Sequence, residues 1–382
     1  MRIGLDAHIL GKSKGGVERV VHQMVALLPD LLPSDDFVVF INRRYAPTFP
    51  PRRNVRYQRL VVSDPMIQRS ILLPWLVRRE RLDLLHVQRA TPPLTQCRVI
   101  VHTHDLLPLT APQDHRGLRD RIIRTLTPRS LRQADCVLTV SNSVAEEIRR
   151  LFPKLVGKIA VVPNGIDGEL FRPKPAGSAR GEIHTRLHLQ GDYFLYLGAL
   201  MSRKNLEVVI RGFASFVRHH SATTPPPRLV LAGMSRSDAY VIQLKRLAAE
   251  LAPGTVRFSG LISDPDCVSL LQHAAVFLAP SRGEGFDLPA LEAMSCAIPV
   301  VCSDIPVHRE MLGRDAAYFS THDAMGLASA LEQLRSQPHL RRQLSRSGPE
   351  RAACFSWGRA MGQLAELYQN TVSPFLPTVS AR

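Results

Sequence analysis

Two glutamates, Glu284 and Glu292, stand eight positions apart in "PSRGEGFDLPALEAMSCAIPVV", residues 280–301. They flank a glycine turn and a helix start, with an apolar run of strand character on either side. Pro289 reads as a first-turn residue, which puts the main chain of Gly285, Phe286, Asp287 and Leu288 at the mouth of that helix. Amides there lack intrahelical partners and suit anionic oxygens or sugar hydroxyls. A carboxylate accepts two hydrogen bonds from a vicinal diol. Carboxylates on both sides of a phosphate-binding turn therefore match a nucleoside diphosphate sugar: ribose, diphosphate, hexose. Two solvated glutamates on an ordinary loop and helix are the competing reading. A second stretch, "YLGALMSRKNLEVVIRGF", places Arg203 and Lys204 after a strand and before a helix. Two cations there can neutralise a diphosphate leaving group, each charged hydrogen bond contributing roughly 1.5 to 3 kcal/mol.

Three other motifs carry less. "DAHILGKS" ends like a phosphate-binding P-loop, but Asp6 occupies the position of the first required glycine. No G-x-G-x-x-G follows the first strand, which argues against a dinucleotide oxidoreductase. Asp264-Pro-Asp266 has the spacing of a metal-holding carboxylate pair, yet Asp264 before Pro265 at the head of "PDCVSLLQHAA" reads as a helix N-cap. No other His, Asp or Glu cluster has metal-ligand spacing.

The elements that must position these residues are short apolar strands alternating with amphipathic helices. "RIGLDA", "FVVFIN", "VRYQRLVV", "LDLLHV", "RVIVHTHD", "CVLTVS" and "KIAVVPNG" lie in the front half. "YFLYLG", "RLVLAG", "VRFSG", "AVFLAPS", "PVVCSD" and "AAYF" lie in the back half. In "GVERVVHQMVALL", Val17, Val20, Val21, Met24 and Leu28 share one helical face. This alternation predicts an α/β fold of two doubly wound parallel sheets, each with its ligand beyond the carboxyl ends of its strands. A chain of 382 residues has room for two such domains. No apolar run approaches the roughly 20 residues needed to cross a bilayer. The N-terminus shows no secretion signal, and the six cysteines are scattered. A reduced, cytoplasmic protein is expected.

Net charge is +16. Residues 1–163 hold 26 lysines and arginines against 14 acids, about +12, leaving about +4 for the remainder. Such a front half suits an anionic membrane surface. Nucleic acid is disfavoured, because Tyr57 is the only aromatic residue in the basic runs "PRRNVRYQRL" and "HRGLRDRIIRTLTPRSLRQ". Arginine-rich solvated faces are the plainer alternative. In "PMIQRSILLPWLVRRERL", Ile67, Ile71, Leu72 and Trp75 could enter an interface while arginines meet headgroups, or could simply face the core.

"SRKN", "PSRGEGFDLPALEAM", "IPVV" followed by "SDIPVHREMLG", and "HDLLP" together resemble glycosyltransferase family 4. The likeness runs nearly end to end, from "GLDAHIL" and "GGVERVV" to "FSWGRAMGQLAELY". It implies the GT-B fold, two Rossmann-like domains facing each other across a cleft. Residues 1–170 would bind the acceptor and residues 171–356 the nucleotide sugar, with a helix at about 357–372 packing back onto the first domain. The activity implied is retaining, metal-independent hexosyl transfer without a cofactor. Glu292 would bind the ribose hydroxyls, Glu284 the donor sugar, and Arg203 and Lys204 the diphosphate. Gly16 would approach the phosphates or acceptor, His104 the transferred sugar, and main-chain groups around Leu261 and Ile262 the base. A histidine merely capping a strand end is the alternative for His104. The stretches "SRKNLE" and "SDIPVHREM" look most like bacterial polysaccharide mannosyltransferases. GDP-mannose is thus the first expectation for the donor and UDP-glucose the second. A lipid-linked glycan at the cytoplasmic face of the inner membrane is the expected acceptor. A non-catalytic basic scaffold is the contrasting class. Three positions depart from the family's usual pattern: Ala199 where an arginine is common, and Asp287 and Ala297 where glycines are. Asp287 reads as a helix cap or as a mark of sugar preference.

Overall fold

The computed structural model describes residues 1–12, 15–60, 71–89, 96–112, 117–175, 177–218, 226–235 and 237–372. The chain forms two units, one of Met1–Gly165 with Trp357–Arg382, the other of Ile166–Ser356. The first therefore ends five residues ahead of the expected boundary at 170.

In the first unit, seven strands form one parallel sheet in the order β3-β2-β1-β4-β5-β6-β7. They are β1 (Arg2–Asp6), β2 (Asp36–Asn42), β3 (Val55–Leu60), β4 (Leu84–Gln88), β5 (Arg98–Thr103), β6 (Cys136–Thr139) and β7 (Ile159–Val161). Central strands β4 and β5 are nearly all buried, as a sheet covered on both faces requires. The Gly16–Leu31 helix buries Val20, Val21, Met24, Val25 and Leu28. Val17, expected on that face, is only half-buried. This helix packs against the Trp357–Val372 helix, which returns to the first unit.

The second unit repeats the scheme with six parallel strands in the order β10-β9-β8-β11-β12-β13. These are β8 (Tyr193–Leu197), β9 (Arg228–Ala232), β10 (Val256–Gly260), β11 (Val276–Ala279), β12 (Val300–Ser303) and β13 (Ala317–Phe319). In each sheet the chain winds outward on one side and then restarts beside its first strand. The switch points lie between β1 and β4 and between β8 and β11, where doubly wound sheets receive ligands. Beyond β8 and β9 the backbone is so close that a Cβ on Gly233, at φ +139°, would fall 1.9 Å from the Gly198 carbonyl oxygen. Glycine is obligatory at that crossing. All six cysteines are free. Among the described residues, no helix is long and apolar enough to cross a membrane.

Candidate donor site in the second unit

The loop after β8 makes one 3₁₀ turn, Ser202–Lys204. Asn205 follows in the left-handed region, φ +59°. Its wholly buried side-chain amide donates to the carbonyls of Pro280, at 3.1 Å, and Thr321, at 2.6 Å. That tie clamps the β8 loop to the loops following β11 and β13. The Arg282 amide donates to the Arg203 carbonyl at 2.9 Å, closing the same seam.

The seam brings the cations onto the first glutamate. Arg203 Nη1 lies 3.1 Å from Glu284 Oε2, and Lys204 Nζ donates to Glu284 Oε1. Arg203 also donates to the Gly283 carbonyl at 3.1 Å. The three side chains are only 7% to 19% exposed. Burial alone would raise the Glu284 carboxyl. Arg203, Lys204 and a Ser281 hydrogen bond outweigh it and hold the group well below the ordinary carboxylate range. Glu284 is thus ionised, and the cluster carries one net positive charge.

Gly285 and Phe286 lead from this cluster to the Leu288–Ser295 helix, with Pro289 in its first turn. Glu292 projects from that helix and is 2% exposed, far more enclosed than a solvated glutamate. The second unit therefore assembles Arg203, Lys204, Glu284, the 285–288 turn and Glu292 around one helix mouth, next to the β8–β11 switch point. Leu261 and Ile262 follow β10, Leu261 exposed and Ile262 half-buried. Gly16 and His104 belong to the first unit.

Two capping expectations are corrected. Asp287 occupies the N-cap position but its side chain makes no capping bond; the carboxylate is instead 3.1 Å from His308 Nε2. A buried histidine outcompetes the local amides for it. At the Asp264–His273 helix the cap is Ser263, whose hydroxyl accepts from the Asp266 amide at 3.2 Å. Asp264 is already inside the first turn, because Pro265 tolerates either of the first helical positions. Among the described residues no group of three or more His, Cys, Asp or Glu could hold a metal ion. Ala297 adopts φ +61°, the left-handed conformation that glycine takes without strain.

In the first unit, Gly16 opens the Gly16–Leu31 helix, is exposed, and has Gly15 as its cap. His104 follows β5 and is 7% exposed; its Nε2–H donates to Gln88 Oε1 at 2.7 Å. Burial, reinforced by Arg89, pushes it down to about 3, so the ring is neutral. It stacks on His102 at 4.1 Å, and His102 lies 5.3 Å from His86. His86 Nδ1 meets the Tyr368 hydroxyl at 2.6 Å. His86 and His102 of this histidine file, and the roles of Asn205 and His308, were not singled out from sequence. "SRKN" and "IPVHREM" displayed the latter two, but nothing local indicates that their partners lie some 20 to 116 residues away.

Residues 14–170 match the family model described as Glycosyltransferase Family 4, and residues 184–351 that described as Glycosyl transferases group 1. The chain belongs to this glycosyltransferase family. It is 28% identical to O-antigen chain mannosyltransferase B of Escherichia coli over 82% of its own length and 81% of that protein's. It is 25% identical to serotype-specific mannosyltransferase WbdA of Escherichia coli over 66% of its length, but spans only 31% of that longer protein. Among solved structures, sucrose-phosphate synthase from Thermosynechococcus elongatus superposes with a TM-score of 0.75 at 21% identity, covering 97% of this chain and 98% of that one. The fold is that of the GT-B glycosyltransferases.

Proposed function

We propose that this glycosyltransferase is a retaining, metal-independent mannosyltransferase that uses GDP-mannose to extend a lipid-linked glycan of bacterial polysaccharide assembly. The observation that carries the reading is the Arg203–Lys204–Glu284 cluster beside the mouth of the Leu288–Ser295 helix, with Glu292 buried in that helix. Arg203 and Lys204 meet the diphosphate, Glu284 and the main chain of residues 285–288 the mannose hydroxyls, and Glu292 the ribose. The likeness to O-antigen mannosyltransferases favours mannose over glucose.

In the reaction, an acceptor hydroxyl oxygen bonds to the anomeric carbon as the carbon–phosphate oxygen bond breaks. Attack comes from the face the diphosphate leaves, and the hydroxyl proton passes to a leaving-group oxygen. Negative charge grows on the diphosphate in the transition state, so the fixed cations stabilise it more than the ground state. They supply what a divalent metal would otherwise supply. His104, neutral and fixed by Gln88 through Nε2–H, keeps Nδ1 as a hydrogen-bond acceptor. It is not a cationic acid.

The experiment is turnover of a panel of nucleotide sugars, with Glu292→Ala as the matched variant. Cleavage of GDP-mannose ahead of UDP-glucose is expected, and Glu292→Ala should raise KM for the donor by about tenfold or more. A wild-type protein indifferent to every nucleotide sugar would leave the scaffold class in its place.

Membrane contact is part of the proposal. Trp75 and Ile71 are 52% and 66% exposed, and Arg78 and Arg79 are exposed on the same Leu73–Glu80 helix. Arg79 lies over the Trp75 ring at 4.8 Å. Leu72 instead packs against the core, and Ile67 lies outside the described residues. Sedimentation with anionic vesicles should weaken with salt and with Trp75→Ala or Arg78→Glu. Binding unchanged by all three would remove the membrane from the proposal.

A further inference from the structure

His308 sits in the Pro306–Leu312 helix and is wholly buried. Its Nδ1 is 2.8 Å from the Ser303 main-chain carbonyl and 3.3 Å from the Ser303 hydroxyl oxygen, whose own proton goes to the Ser281 carbonyl, and its Nε2 is 3.1 Å from Asp287 Oδ2. A carbonyl and an ionised carboxylate can only accept. A neutral imidazole has one N–H and could serve one of them. Serving both takes the imidazolium, with Asp287 as its counter-ion. The Asp287 side chain is itself only 7% exposed. Enclosing such a pair strips hydration from both ions, and the pair persists only where the geometry satisfies both partners.

The place of the pair gives it a use. Asp287 stands immediately before the Leu288–Ser295 helix and three residues after Glu284. A glycine at this position would leave the turn free to swing. Ser303 ends β12, and its hydroxyl donates to the Ser281 carbonyl at 2.5 Å, on the loop that carries Glu284. The chain from β12 through His308 to Asp287 thus braces the 285–288 turn from beneath.

We infer that His308 is a positioning residue for the donor sugar: as an imidazolium anchored on Ser303, it draws the Asp287 carboxylate inward and fixes the main chain of residues 285–288 against the sugar end of the donor. The inference rests on the donor site proposed above. Asp287 then sets sugar preference through its backbone, since its carboxylate is committed to His308. Other ionisable groups bearing on the pair are Asp304 at the end of β12, Cys302 within it and Tyr196 in β8. Asp304 is itself held by Arg309, in a two-point contact of 2.7 and 2.8 Å.

The test compares His308→Gln, Asp287→Asn, Asp287→Gly and the Asp287→Gly/His308→Gln double variant in GDP-mannose turnover, with GDP binding measured by calorimetry. His308→Gln should lower kcat/KM for the nucleotide sugar by about tenfold or more, mainly through KM, while GDP affinity stays within about threefold. On the Asp287→Gly background the same change should add less than about threefold, because its partner is already gone. Nitrogen-15 spectra of the wild type should show N–H on both His308 ring nitrogens. Should His308→Gln fail to fold, Asp287→Asn, close in shape and lacking the charge, is expected to give the same selective loss. Equal losses for GDP and GDP-mannose, an undiminished effect on the Asp287→Gly background, or a singly protonated ring would each overturn the inference. Normal wild-type turnover with an indifferent His308→Gln would sink it alone. A wild type that binds no nucleotide sugar would sink the donor site as well.

Discussion

Lys204→Ala is expected to lower kcat/KM for donor turnover by about 100-fold, with the melting temperature little changed. The Lys204 side chain is 12% exposed and its ammonium group makes a hydrogen bond to Glu284, which keeps Arg203 as a second partner when the lysine is gone. The ground-state ion pair is therefore only weakened. The transition state loses more, because a departing diphosphate gains charge at the place where one of its two flanking cations has been removed. The deficit should appear chiefly in kcat, whereas Glu292→Ala, at the ribose end, should act chiefly on KM. Steady-state kinetics with calorimetric confirmation of folding decides between them. Activity within about threefold of wild type for Lys204→Ala would mean that this cluster does not receive the leaving group.

Acidification should destabilise the first unit steeply between pH 6.5 and 5. His86 and His104 are pushed down to about 3, and His102 is also held well below its ordinary value, each chiefly by burial. Asp6 opposes the shift at His86, as Asp105 does at His104, while Arg89 adds to it at His104. Folded rings stay neutral where unfolded ones, near 6.5, take up protons. The unfolded chain binds the extra protons, so stability is complete above about pH 6.5 and falls as pH drops toward the folded values. Each ring contributes a slope of about 1.4 kcal/mol per pH unit, which for three rings corresponds to a fall of roughly 10 °C per pH unit in melting temperature. Carboxylates such as Glu284 add their own loss only at lower pH. Neither ring nitrogen of His102 has a hydrogen-bond partner among the described residues. His102→Phe should thus flatten the slope by about a third without breaking a bond. A melting temperature independent of pH from 7 to 5 would contradict the neutral file.

The sites differ in how far they could be read from the sequence. The parts of the proposed donor site were legible because they occur in two short stretches, and strand-end placement in a doubly wound sheet follows from the order of apolar runs. Glu284, the glycine turn and Glu292 lie within nine residues, and a first-turn proline marks the helix mouth. Direct contact between Lys204 and Glu284 is a different matter. It spans 80 positions and arises because β8 and β11 are neighbours, which carries their following loops to the same rim. The Asp287 cap was misjudged for the same reason. Local spacing offered a free amide, while folding offered a buried histidine 21 residues on, a stronger partner away from water.

The histidine file shows the limit most clearly. "LDLLHV" and "RVIVHTHD" announced buried strands, and alternation along a strand sets His102 and His104 on one face. Register between β4 and β5, which sets Gln88 against His102, is fixed by sheet packing, as is the arrival of Tyr368 from the C-terminal helix. By itself the sequence determined two parallel α/β sheets, the strand-end loops that carry chemistry and the residue types able to grip a sugar diphosphate. Periodicity and turn chemistry are local, so one chain records them. Tertiary structure alone decided which charges pair, which histidines are kept neutral, and which carboxylate is spent inside the fold. Those outcomes depend on burial and on partners brought together from distant segments.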